Sequence, residues 1–563
     1  MSKKQVVAAR SPQQGLFEKK EKPLAIATAA APPGGKAAKR KPAREKPVRE
    51  DADTMAARQR EISISEFFTK NRHLLGFDNP QKALLTAIKE AVDNSLDACE
   101  EAGILPELIV EIHEVGEERF RIAVEDNGPG IVQAQIPKIF GKLLYGSKFH
   151  RLKQQRGQQG IGISAAGMYG VLTTGKSVRV VSKIGPKKPA HLFEIAIDTQ
   201  KNHPVVHKDV ETPWDKDQGT RVEIEMEATY KKGRRSVDDY IEQTALANPH
   251  VTLRYLAPKE DVRVFERVTK ELPVESREIK PHPYGVELGI LLRMMKETSA
   301  RTVVAMLSGD FSRVSPAVAQ EICRVAGVNG DVAAHRLSTA HVELLFRAIP
   351  KVKIMAPPTA CLSPIGEELL ERGLQARLPC DFATAVTRPP SVYRGNPFQV
   401  EVGLAYGGQL PADDLMDLYR FANRVPLQYQ QSGCAITKAV LSVDWKSYGL
   451  LQSKGALPTG PLVVSVHIAS VWVPFTSESK EAVASYPEIL KELRLALMEA
   501  GRRLGAFVRH RRRVADEEKK RSYIEKYIPH IGDALQQILG LSDAKRNRTI
   551  EDLKSILEQS RKV

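Results

Sequence analysis

Apolar side chains recur at three- and four-residue spacing after Asn79-Pro80, at Leu84/Leu85, Ile88, Ala91/Val92 and Leu96. That period predicts a helix with one buried face. The period drops to two over Leu108–His113 and Phe120–Glu125, as in a hairpin. Helix, hairpin and glycine-rich turns in this order predict an α/β layer on an antiparallel or mixed sheet. From Pro281 to Ala356 the pattern is helical again, over Val286–Thr298, Thr302–Leu307, Pro316–Ala326 and Ser338–Ala348, with breaks at Gly309-Asp310 and Gly327–Gly330. This block reads as a small all-α insert. Strand patterns return at Phe398–Tyr406 and Leu462–Val473. A long helix, about Lys480–Arg509, then carries Leu490, Leu493, Leu495, Leu497 and Leu504, and a charged helix runs on to Val563. Upstream, the aromatic segment Ile62–Leu75 stops at Gly76 and suits a strap laid on a neighbouring surface, with ordered structure beginning near Ala57.

With 563 residues, three or four domains are expected at ~150 residues each. No apolar run reaches the ~18–20 residues of a membrane span, and no secretory segment opens the chain, so a cytoplasmic, nucleoid-associated protein is expected. The five scattered cysteines form no CxxC pair and suit reduced thiols. The net charge of +16 is uneven. Residues 1–50 hold thirteen Lys/Arg against four Asp/Glu, a net of +9 that leaves +7 for the rest. This Ala-, Pro- and Lys-rich tail is expected to be disordered, as an arm for DNA phosphates or a solubilising extension.

Three short motifs carry chemistry. On the first helix Glu90, Asn94 and Asp97 fall at i, i+4 and i+7, off the apolar face. A carboxylate one turn from a carboxamide suits phosphoryl transfer, because Glu90 can deprotonate water while Asn94 offers Mg²⁺ a neutral oxygen. Next comes Asp126-Asn127-Gly128-Pro129-Gly130, a tight turn whose backbone can approach a flat ring. Its aspartate would accept from the exocyclic amine of adenine. Third is Arg156-Gly157-Gln158-Gln159-Gly160-Ile161-Gly162-Ile163, a glycine loop leading into a small-residue helix whose free N–H groups attract phosphate. Nearby, Gly170–Ser177 matches the Walker A string through Lys176. A helix precedes it and a strand follows, the reverse of a P-loop, so a helix stop is expected there.

In this order, and followed by Gly219-Thr220 before the strand Arg221–Met226, the motifs resemble the Bergerat-fold (GHKL) ATPases. Within that superfamily, residues 60–515 resemble the B subunits of topoisomerase VI. The likeness lies in Asn94–Ala98, Leu144–Lys148, Pro281–Gly285, Tyr406–Gly408, Asp444–Gly449 and Val473–Glu481. The resemblance implies an α+β multidomain chain. Its parts are a disordered basic tail (1–56), a strap and α/β-sandwich ATPase (57–280), a helix-two-turns-helix insert (281–356), an α/β transducer (357–515) and a C-terminal helical extension (516–563). It implies Glu90 as general base, Asn94 as Mg²⁺ ligand and Asp126 as reader of adenine. Ser147, Lys148 and Arg156–Ile163 would hold ribose and phosphates, with Asp97, Gly128, Gly130 and Thr220 also lining the ATP site. A transducer lysine reaching the γ-phosphate is placed at Lys480, ahead of Lys438 and Lys446. It further implies an ATP-dependent isomerase that acts on DNA with a DNA-cleaving A subunit. Two B chains would dimerise on ATP within a heterotetramer, relaxing and decatenating DNA. A MutL-like repair clamp is the alternative, disfavoured by the all-α insert.

Overall fold

The structure is a computed structural model that describes residues 52–59, 61–146, 151–157, 160–477 and 479–559. Two units are distinguished, one ending at Glu61 and the other beginning at Ile62. Of the first, helix α1 (Ala52–Ala57) is described, a few residues ahead of the expected onset of order. The basic segment before it lies outside the described residues.

The second unit opens with α2 (Ile64–Lys70), whose N-cap Ser63 donates from Oγ to Thr199 O at 2.6 Å. Helix α3 (Pro80–Glu101) follows, started by Asn79, whose side chain accepts from the Lys82 N–H at 2.8 Å, and by proline at its first position. Then come β1 (Glu107–Gly116), β2 (Arg119–Asp126), α4 (Ile136–Gly141), α5 (Gly162–Thr174), β3 (Val178–Lys183), β4 (Ala190–Asp198), β5 (His203–Thr212), β6 (Gly219–Glu227), α6 (Val237–Ala247), β7 (Thr252–Leu256) and β8 (Arg263–Phe265). The strands form one mixed sheet in the order β5-β4-β3-β6-β2-β1-β7-β8, parallel only between β1 and β7. Leu108, Val110 and Ile112 of β1 are buried while its later residues are exposed, as expected of a sheet covered by helices on one face. The apolar faces of α3, α4, α5 and α6 supply that cover, so the polar face of α3 is left at the edge of the core.

Four helices, α7 (Leu288–Glu297), α8 (Val303–Asp310), α9 (Pro316–Ala326) and α10 (Thr339–Ala348), share a separate core around Leu291, Met306, Ile322 and Leu345. Beyond them lie α11 (Glu367–Arg377), β9 (Phe382–Thr387), β10 (Ser391–Tyr393), β11 (Asn396–Tyr406), β12 (Asp417–Ala422), β13 (Val425–Pro426), α12 (Ala435–Leu441), β14 (Leu451–Gln452), β15 (Pro458–Thr459), β16 (Leu462–Ser470), α13 (Pro487–Leu539) and α14 (Asp543–Gln559). In the second large sheet β16 is antiparallel to β11 and parallel to β12. Along β16, Val463 faces the α11 cluster and Val464 the α12/α13 cluster. With both faces covered, the strand is buried along its whole length, which is why its sequence is mostly apolar, the buried His467 and Ser470 being hydrogen-bonded to Glu401 and the Pro397 carbonyl.

The long helix departs from expectation at both ends. It begins at Pro487 rather than near Lys480 and continues past Arg509 to Leu539. Residues 474–477 and 479–486 instead belong to a loop closed by an antiparallel bridge between Phe475 and Val483.

Candidate active site

One face of α3 opens onto a cavity of about 640 Å³. Glu90, Asn94 and Ser95 reach it from the helix. Asp126, Pro129 and Gly130 reach it from the turn after β2, Gly157 and Gly160–Ile163 from the glycine loop, and Thr220 from β6. Lys480 reaches it from the loop before α13. The three motifs, separated in sequence, therefore share one cavity with a lysine from beyond the second sheet. Lys438, on α12, donates to Ser485 Oγ and does not line the cavity, nor does Lys446.

Asp126 is held in a fixed orientation. Its Oδ1 accepts from the Gly128 N–H at 2.9 Å and the Thr220 N–H at 3.1 Å, and its Oδ2 accepts from the Ser95 hydroxyl at 2.8 Å. Burial pushes its carboxyl up from the ordinary value against these hydrogen bonds and the Lys216 ammonium. The turn behind it is clamped as well. Ser182 Oγ accepts from the Ile131 N–H at 2.8 Å and shares a hydrogen bond with the Thr220 hydroxyl. Gly130 has φ +71°, and a Cβ there would collide with the Lys183 carbonyl, so the turn requires glycine.

Gly162, the first residue of α5, lies directly against Glu90. A Cβ at that position would overlap the glutamate carboxylate. The glycine loop thus does two things at once: it presents the N-terminus of α5 to the cavity, and it leaves room for a carboxylate beside that terminus.

Three expected residues do not line the cavity. Arg156 is buried away from the cavity. One Nη donates to Asp97 Oδ1 at 2.9 Å and to Glu100 Oε2 at 2.8 Å, and the other to Glu100 Oε1 and Asn248 Oδ1 at 2.6 Å each. Burial alone would lower the guanidinium's pKa, but Glu100 and Asp97 outweigh it and raise the value. Asp97 is thereby the partner of Arg156, with its Oδ2 3.5 Å from the Gly157 N–H, and braces the base of the glycine loop from behind. Gly128 serves through its N–H to Asp126 rather than as cavity wall. Ser147, Lys148, Gln158 and Gln159 lie outside the described residues. The Walker-like string ends α5 at Gly175, φ +70°, with Lys176 exposed beyond it.

The cavity also holds residues that spacing did not single out: Ser95, Lys89, Lys82, Tyr429 and Glu481. Ser95 follows Asn94 directly, and a hydroxyl beside a motif carboxamide was the available signal. For Lys89 burial lowers the ammonium's pKa, opposed by Asp93 and Glu90 and reinforced by the charge of Lys480.

This arrangement defines the class. A family model for histidine kinase-, DNA gyrase B- and HSP90-like ATPases matches residues 79–230, the span that holds α3, the Asp126 turn and the glycine loop. A second, for the topoisomerase VI B subunit transducer, matches residues 357–521. The chain is 50% identical over 489 residues to the B subunit of type 2 DNA topoisomerase 6 from Methanococcoides burtonii, covering 87% of this chain and 79% of that one. It is 46% identical over 510 residues to the same subunit of Archaeoglobus fulgidus (90% and 84% covered) and 40% over 533 residues to that of Pyrococcus horikoshii (86% and 93%). The chain belongs to the family of type 2 DNA topoisomerase 6 B subunits. It is an ATP-binding subunit of an ATP-dependent DNA topoisomerase, and the repair-clamp alternative is set aside. Among the described residues, no helix is long and apolar enough to cross a membrane.

Proposed function

We propose that the cavity binds ATP with adenine at Asp126 and the phosphates toward Gly157–Gly162, and that Glu90 takes the proton of the attacking water. The observation that carries this reading is the packing of Gly162 against Glu90, which puts a carboxylate beside the helix terminus suited to phosphate. Thr220 and Gly128 fix the base-reading carboxylate, while Asp97 and Arg156 brace the glycine loop without touching nucleotide. Asn94, exposed into the cavity one turn from Glu90, offers the hard neutral oxygen that suits Mg²⁺, which would neutralise phosphate charge there. Lys480 meets the γ-phosphate and makes the geometry of the second sheet depend on whether ATP or ADP is bound.

On this reading ATP draws two copies of the chain into a clamp around DNA and hydrolysis reopens it. A separate A subunit cuts the duplex through which a second segment passes. The domain limits that serve this are an ATPase over 57–280, a helical insert over 281–356, a transducer over 357–515 and a helical extension over 516–563, with residues 1–56 as a basic tail. The test is reconstitution with a candidate A subunit and an ATP-dependent decatenation assay. Glu90→Ala should retain ATP binding and lose about 10²–10⁴-fold in turnover. Wild-type turnover in that variant would remove Glu90 from the role, and decatenation without ATP would remove the clamp.

A further inference from the structure

Lys82 is oddly placed for a cation. It is the third residue of α3, where the helix dipole disfavours positive charge, and its side chain is only 14% exposed. Two carboxylates compensate. Asp78 lies 2.9 Å away at the entry to the same helix, and Glu481 lies 2.6 Å away, its side chain 7% exposed. Burial tends to lower the ammonium's pKa, but the two carboxylates outweigh it and raise the value. The same ammonium stands 5.5 Å over the ring of Tyr429. Lys82 therefore touches two segments of the second sheet's region at the rim of the nucleotide cavity.

Glu481 is bonded to Lys480, which has φ +52°, a left-handed conformation that a non-glycine residue holds only when its surroundings enforce it. What encloses it is visible. The loop is shut by the Phe475–Val483 bridge and by the Lys480 N–H to Ser477 O at 3.1 Å. Ala482 and Val483 are fully buried in the α12/α13 core, and the Val483 carbonyl accepts from the Ala435 N–H at 2.8 Å. One neighbour of Glu481 is thus anchored in the second core, while its own carboxylate is anchored to α3, the helix that carries Glu90 and Asn94. Lys480 is the residue left to turn toward the cavity between those anchors.

We propose that the Lys82–Glu481 ion pair is a positioning device that ties the Lys480 loop to α3 and sets the reach of Lys480 toward nucleotide. It rests on the reading of Lys480 as a γ-phosphate contact. A pair serving the fold alone would change melting temperature and leave turnover as it was. A positioning pair changes kcat with little effect on ADP, which lacks the phosphate that Lys480 meets.

The test uses the full-length chain and the variants Glu481→Gln, Lys82→Met, the two combined, Lys82→Arg and Lys480→Ala. Steady-state ATPase rates, calorimetric ADP affinity and thermal melting are read for each. Each neutralising variant should lower kcat roughly tenfold with ADP affinity kept within about threefold, and the double variant should fall no further, because partners in one contact are not additive. Lys82→Arg, which keeps the charge, should hold most of the turnover, and Lys480→Ala should abolish it. The inference is overturned if the neutralising variants turn over at the wild-type rate, if their losses multiply, or if ADP affinity falls as far as kcat. Wild-type turnover in Lys480→Ala would instead remove the underlying reading, so the two failures are distinguishable.

Discussion

Replacing Asp126 with asparagine probes the base contact with almost no change of shape. In the native site Oδ1 accepts from two backbone N–H groups and Oδ2 from Ser95, which leaves Oδ2 able to accept once more from the cavity side. In Asp126→Asn the amide oxygen must stay with the Gly128 and Thr220 N–H groups, because the reverse orientation would set an NH₂ against two donors. The NH₂ then occupies the Oδ2 position. The Ser95 hydroxyl can rotate to accept from it, but the exocyclic amine of adenine meets a donor. Losing a hydrogen bond to a charged acceptor costs about 1.5–3 kcal/mol, which is roughly 10- to 150-fold in affinity. Stability should move little, since neutralising the buried carboxylate relieves the burial that holds its pKa up. Calorimetric titration with ADP and GDP measures both consequences. ADP should weaken by that factor, and discrimination against GDP should narrow because guanine O6 accepts from the new donor. ADP affinity within about twofold of wild type would refute the reasoning, since even a weak neutral hydrogen bond is worth about 0.5 kcal/mol.

Three further outcomes follow from the same geometry. Gly162→Ala should displace the Glu90 carboxylate and lower ATP turnover by about 10²-fold or more, with no additional loss in a Glu90→Ala background, as read by steady-state ATPase assays. Lys176→Ala should leave ATP affinity and turnover unchanged, because Lys176 is exposed beyond the end of α5, and a binding titration checks it. Glu401, buried between β9 and β16, accepts from the Ile365 and Gly366 N–H groups and the Thr387 hydroxyl and contacts His467 Nδ1 at 2.7 Å. Burial would raise its pKa, but His467 and the backbone amides hold it below the usual 4.5. A lowered folded-state value stabilises above the unfolded pKa and fades as pH falls through the folded one. Glu401→Gln should therefore cost about 2–4 kcal/mol near neutral pH, with the melting curves of variant and wild type converging in acid.

The parts of the site that local chemistry determines were legible in the sequence. Glu90 and Asn94 share a helix face by period alone, and the glycines at 130 and 162 stand where a Cβ has no room. What tertiary contact decides was not legible. Arg156 sits at the start of a phosphate-loop pattern, yet Glu100 and Asn248, which capture its guanidinium, come from two other elements. The start of α13 was misplaced because Lys480–Tyr486 has helix-compatible residues, while the Phe475–Val483 bridge and the left-handed Lys480 keep it a loop until Pro487. Strand β5 carries no alternation because it is an edge strand exposed along most of its length.

The length of α13 has a mechanical consequence. Its first turns are gripped by the second sheet's core through Leu493, Leu497, Leu504 and Val508, and Arg511 and Arg512 still reach Asp381 and the Gly449 carbonyl, while the stretch from Arg513 to Leu539 runs on beyond those contacts. At 1.5 Å per residue this overhang is roughly 40 Å long, so a tilt of about 10° at its root sweeps the tip through roughly 7 Å. The helix is a lever arm with its root near Arg512. Its gain is set by the number of turns left ungripped, so shortening α13 turn by turn would scale the stroke without touching the nucleotide.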